Sequence, residues 1–169
     1  MNSLLEDHLN RLLTGFVNAA QIGNYELSRE DLILQFHPAP HNPVKLADGK
    51  RAVYGFGVND HWLKVGKAGG NSNARFQSQH YNPKSANSNL ASSILKDVES
   101  PIVPALSESA VGKWIKKNCY RFNVLFASHH SDEFATFMES FFIFCLKPCL
   151  LYTSPSPRDL STSRMPSSA

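Results

Sequence analysis

Ala52-Val-Tyr-Gly-Phe-Gly-Val-Asn-Asp-His-Trp-Leu-Lys-Val-Gly66 is the stretch on which the fold turns. Two short β-rich runs, Arg51–Gly57 and Trp62–Gly66, flank Val58-Asn-Asp-His61, which reads as a hairpin. Side chains alternate faces along a strand, so the loop length decides whether Tyr54 and Lys64 meet. A two-residue Asn59-Asp60 loop would pair Tyr54 with Val65 and separate the two groups. A three-residue loop, Asn59 to His61, pairs Phe56 with Lys64 and puts both on Tyr54's face. The odd loop is the expectation.

Downstream, Gly69-Gly-Asn-Ser72 is a turn into a helix from about Asn73 to His80. Ser85-Ala-Asn-Ser88 leads into a second helix, Asn89–Lys96. Pro101 and Pro104 break the chain, and Ser107-Glu108 opens a third helix through Lys117. Tyr120–Phe126 alternates into a third strand. Ser131-Asp-Glu133 then starts a last helix with acids in its first turn and an apolar stripe of Phe134, Phe137, Met138, Phe141, Phe142 and Cys145.

Upstream, Leu4, Leu5, Leu9, Leu12, Leu13 and Phe16 mark an amphipathic helix over Asn2–Ala20. Ser28-Arg-Glu-Asp31 resembles a capping box opening a short helix through Gln35. His37-Pro-Ala-Pro-His-Asn-Pro43 breaks structure. His37 and His41 are metal-ligand types, but Pro-rich turn chemistry accounts for them better. The fold class is α/β, an α+β sandwich with a small antiparallel three-stranded sheet flanked by helices. Residues 1–45 form an N-terminal helical extension and 46–148 the main domain.

The 169 residues suit one domain with a real core, and 42% apolar with 18% charged residues is ordinary globular composition. No apolar run approaches the roughly 18 residues of a membrane span. The N-terminus has no basic region followed by an apolar stretch, so a cytoplasmic location is expected. Cys119, Cys145 and Cys149 lack metal-site spacing, and Cys119 and Cys145 read as small buried side chains.

Residues 149–169 stand apart. One back-translation of Cys149–Asp159 resembles a transposon-based sequencing-library adapter, and Ser163–Ala169 resembles the outer end of the same adapter in the same frame. These residues are expected to be a non-native disordered tail. The chain carries 17 Lys+Arg against 14 Asp+Glu; less Arg158, Arg164 and Asp159 these become 15 and 13, a net of +2.

The distribution of charge says more. Lys64, Lys67, Arg75, Lys84 and Lys96 follow one another with no acid between His61 and Lys96. Lys113, Lys116, Lys117 and Arg121 make a second basic group. Local excess of this kind suits a phosphate-contacting surface, so Lys67, Lys84, Lys113, Lys116 and Lys117 are candidate nucleic-acid contacts.

Two chemistries are excluded. Val65-Gly-Lys67 is no phosphate-binding loop, because Ala68 follows where Ser or Thr is needed. No Ser-His-Asp, Cys-His or HExxH arrangement is visible. What remains is a strand with an inward Tyr, a hairpin, a Lys-Val-Gly and an Arg on the next helix. This resembles the GIY-YIG nuclease superfamily: Ala52-Val-Tyr54 stands for the first triplet, Lys64-Val-Gly66 for the second and Arg75 for the helix arginine. Glu139, in the helix after the third strand, stands for its glutamate. Lys64 replaces the namesake second Tyr, as it does in some restriction endonucleases of the superfamily.

The resemblance covers about Lys50 to Lys147 and implies an endonuclease that hydrolyses DNA with a divalent cation, Mg²⁺ by its oxygen ligands, held by Glu139. Tyr54 would take a proton from water. A free Tyr ionises near ~10, so the Lys64 ammonium beside it would favour the anion. Arg75 would offer a planar fork to the phosphate, and His80 would bind phosphate or shuttle a proton. A nucleic-acid-binding module of the same fold without cleavage is the alternative. A protein-interaction domain on the N-terminal helices is a third reading.

Overall fold

Four antiparallel strands in the order β1-β4-β2-β3 form one sheet: β1 (Ile33–His37), β2 (Lys50–Val58), β3 (His61–Ala68) and β4 (Tyr120–Ala127). A computed structural model describes residues 2–69, 73–85, 89–97 and 100–150. Helices α1 (Asn2–Ile22) and α5 (Asp132–Leu146) cover one face. The short α2 (Asn73–Gln77), α3 (Leu90–Lys96) and α4 (Glu108–Asn118) cover the other. The α+β class stands, with four strands where the sequence suggested three.

The extra strand is β1, whose first residues, through Gln35, the sequence placed in a helix. Ser28 N–H and Ser28 Oγ both donate to Asp31 Oδ2, at 2.8 and 3.0 Å, so the capping chemistry is present. It holds only one 3-10 turn, Arg29–Asp31. From Ile33 the chain pairs with β4, Ile33 opposite Leu125 through His37 opposite Arg121. Without it β4 would present a row of unpaired backbone groups, and satisfying them outweighs a weak local helix preference. Leu9, Leu13 and Phe16 of α1 are fully buried against the sheet and α5. Residues 1–45 thus supply a core helix and a sheet strand, not a separate helical extension.

Alternation sorts the two cores. Val53, Val65, Phe122, Val124 and Phe126 point toward α1 and α5. Ala52, Tyr54, Phe56 and Leu125 point toward α2–α4. The β2–β3 turn is the two-residue Asn59-Asp60, with Asn59 at φ 53° and Val58 opposite His61. The expected three-residue loop is absent, yet its register is present: Phe56 faces Lys64 and Tyr54 faces Gly66. A bulge supplies the missing residue. Gly57 faces Trp62 and Phe56 faces Lys64, which leaves Leu63 as the extra residue and restores the parity.

Helix α5 opens with Ser131 Oγ accepting from the Phe134 amide at 3.2 Å and closes at Lys147, which is left-handed at φ 47°. Beyond it, the Cys149 and Leu150 amides donate to the Trp62 and Leu63 carbonyls, each at 3.0 Å, along the outer edge of β3. The boundary read at Cys149 therefore falls two residues inside the hydrogen-bonded chain, and 151–169 lie outside the described residues. Among the described residues no helix is long and apolar enough to cross a membrane.

Candidate active site

Three of the five proposed catalytic residues come together on the face of the sheet under α2–α4. Tyr54 is fully buried, with its ring lying over Gly66 of the neighbouring strand: a Cβ there would stand 2.9 Å from Tyr54 Oη. That close approach is why the position needs glycine. His80 sits in a 3-10 turn, Gln79–Tyr81, that follows α2 and is stopped by Pro83. Its Nε2 lies 2.7 Å from Tyr54 Oη. Lys64, 7% exposed, shares the face, and its Nζ donates to Ser93 Oγ of α3 at 3.2 Å.

The direction of the Tyr54–His80 bond follows from what holds the other side of the ring. The Leu90 amide, the first N–H of α3, donates to His80 Nδ1 at 3.2 Å. An amide can only donate, so Nδ1 carries no proton and the neutral ring carries it on Nε2. Tyr54 Oη is therefore an acceptor from His80. A second pair nearby runs the other way. His41 Nδ1 donates to the Cys119 carbonyl at 2.7 Å, which leaves Nε2 to accept from the Tyr81 hydroxyl at 2.8 Å. Burial holds His41 below the ordinary histidine range, so it is neutral near pH 7.

Between the pairs stands Arg121, on β4 opposite Phe56 and wholly inaccessible to solvent. The sequence grouped it with Lys113–Lys117 in a basic surface; strand alternation turns it inward instead. Its guanidinium lies 4.3 Å from the Phe76 ring, 5.1 Å from Phe56 and 5.5 Å from Tyr54. Nε donates to Asn123 Oδ1 at 2.8 Å and Nη1 to Tyr81 Oη at 3.4 Å. Asn123, opposite Tyr54, in turn meets His37 Nε2 of β1 at 3.1 Å. Strand parity alone could have found Arg121: 121, 123 and 125 alternate with the apolar 122, 124 and 126.

The other two proposed residues stand differently. Arg75 is in α2, one residue before the buried Phe76, and its side chain lies outside the described part of the structure. Glu139 lies on the far side of the sheet. Lys67 faces Val53, so it points toward α5, and there its Nζ meets Glu139 Oε2 at 3.5 Å and Thr136 Oγ1 at 2.6 Å. The carboxylate assigned to a metal is thus paired with Lys67 across the sheet from Tyr54. Among the described residues no group of three His, Cys, Asp or Glu side chains is arranged to hold a metal ion.

The proposed nucleic-acid contacts divide likewise. Lys113 and Lys117 are exposed on α4 and Lys116 is half-buried beside them. Lys84 is exposed and paired with Glu108 at 2.9 Å, a contact that adds little to stability. Lys67 is engaged with Glu139. Compared with protein-family models, with curated proteins and with solved structures, the chain matches none.

Proposed function

We propose that this chain is an endonuclease that hydrolyses DNA phosphodiester bonds, with Tyr54 as the base that takes a proton from water. The observation that carries the reading is the Tyr54–His80 bond, with His80 fixed in the donor tautomer by the Leu90 amide. A donor aimed at the phenol oxygen favours the phenolate, the form a base needs. Lys64 on the same face adds positive charge, and Arg75 in α2 is the residue this reading assigns to the phosphate. Mg²⁺ belongs to the reading through Glu139, but that carboxylate is paired with Lys67 on the other face. Among the described residues the set around Tyr54 does not fit a resident cation, so the proposed chemistry is carried by the side chains alone.

Two observations favour a second reading, a nucleic-acid-binding module without cleavage. Glu139 is across the sheet, and Tyr54 has no exposed surface. Plasmid nicking by the full chain, with Mg²⁺ and with chelator, separates the two. The nuclease reading expects Tyr54→Phe to lose roughly a hundredfold or more in rate. Equal cutting by wild type and Tyr54→Phe removes Tyr54 as the base. Plasmid retention without any cutting establishes the second reading, and undiminished cutting by Glu139→Ala takes Glu139 out of the chemistry.

A further inference from the structure

Arg121 is a buried cation that the function above does not use. A guanidinium keeps its proton at any ordinary pH, so a fully buried one needs a counter-charge. Among the described residues Arg121 forms no ion pair, and its Nη2 has no hydrogen-bond partner. Its other contacts are neutral: the rings of Phe56 and Phe76, and the amide of Asn123. Two groups beside it can become anions by losing a proton, Tyr54 and Tyr81.

The histidines choose between them. Tyr81 donates its proton to His41 Nε2, whose acceptor role is fixed by the Cys119 carbonyl, and burial pushes its pKa up, against the anion. Tyr54 receives a proton from His80, so its oxygen is arranged as the anion would want it. We propose that Arg121 is the buried counter-charge of Tyr54, a positioning residue that holds this side chain as phenolate without touching substrate. Burial works against the charge on Arg121, and the Tyr81 and Tyr54 hydroxyls offset that cost. The other charged or titratable groups facing the pair are Lys64 on β3, His80 and Tyr81 in the 3-10 turn, His37 on β1 and His41 beyond Tyr81. The anion gives function to an arginine that is otherwise costly to bury, and the inference rests on Tyr54 being the base.

The test is a spectrophotometric titration of the full chain, without DNA or metal, following phenolate absorbance in the near ultraviolet. Wild type minus Tyr54→Phe isolates Tyr54, which should ionise below the ordinary tyrosine value of ~10. Arg121→Met should move that step up by about one pH unit or more, while Arg121→Lys keeps most of the depression. Asn123→Asp keeps Arg121 but offers it a carboxylate; the Tyr54 step should rise there too, which covers the case in which Arg121→Met does not fold. An unchanged Tyr54 step in the folded variants overturns the proposal, as does a low-pH step that vanishes in Tyr81→Phe instead of Tyr54→Phe. Plasmid nicking is scored separately. A shifted step with no cutting by any protein removes the nuclease reading alone, and cutting with an unshifted step removes this proposal alone.

Discussion

Two tyrosine–histidine pairs lie within reach of the same buried arginine, and they have opposite polarity. In one, an amide at the start of α3 donates to His80 and makes it a donor to Tyr54. In the other, the Cys119 carbonyl accepts from His41 and makes it an acceptor from Tyr81. The distances hardly differ, 2.7 and 2.8 Å. What differs is a single backbone group on the far side of each ring. The comparison teaches that a phenol's readiness to become an anion is set two bonds away, by whether its histidine partner is braced on an N–H or a C=O.

Deleting each histidine in turn should separate the two pairs most clearly. His80→Ala should slow plasmid nicking by about a hundredfold, the scale of general-base assistance. His41→Ala should cost less than about tenfold in cutting but on the order of 1–3 kcal/mol in stability, since it strands the Cys119 carbonyl and the Tyr81 hydroxyl. Initial nicking rates and urea midpoints read the two effects. Equal rate losses in both variants would mean the polarity does not matter.

Next in size are the glycines behind each tyrosine. A Cβ at Gly112 of α4 would stand 2.2 Å from the Tyr81 carbonyl oxygen, a backbone atom that cannot step aside. Gly112→Ala should destabilise by about 3 kcal/mol, the upper end of ordinary overpacking. At Gly66 the nearest atoms belong to the Tyr54 ring, which can tilt. Gly66→Ala should cost only about 1 kcal/mol in unfolding but displace Tyr54, so under the proposed nuclease reading the nicking rate drops more than the stability. Two denaturation curves and two nicking rates decide it.

The smallest effect is a pH slope. Burial holds His41 below its ordinary value of 6.5, so the unfolded chain binds the extra proton first. Stability from this residue is therefore complete above about 6.5 and is lost as pH falls through the lower folded value. His37 and His130 are shifted the same way and add to the total slope, so the comparison must be by difference. Urea midpoints of wild type and His41→Gln should converge between about pH 7 and about pH 5. Parallel midpoints across that range would show that His41 is not buried neutral.

Much of this face is legible in the chain. The hairpin and the pairing of Phe56 with Lys64 are expected from alternation, whereas the meeting of His80 with Tyr54 comes from the fold of the 3-10 turn after α2. The expected three-residue turn is replaced by an even turn plus a bulge at Leu63, which has the same parity. Other features were hidden for definite reasons. The chain through Gln35 looked helical because its capping residues are real, and only the open edge of β4 overrules them. Arg121 looked like surface charge because it follows three exposed or half-buried lysines, although it lies across a helix-to-strand boundary. His41 looked like part of a Pro-rich turn, since nothing local shows that a carbonyl from 78 residues away will fix its tautomer.

The α+β class and the β2–β3 hairpin follow from the chain's local pattern, because they depend on periodicities a few residues long; that Tyr54 and Lys64 share a face needed the bulge at Leu63 as well. Long-range packing is what sets Glu139 against Lys67 on the opposite face, closes the sheet with β1, and makes His80 and His41 brace their tyrosines in opposite senses. Those outcomes depend on backbone donors and acceptors, which every residue carries alike. Where each one points is written in the packing of the whole chain.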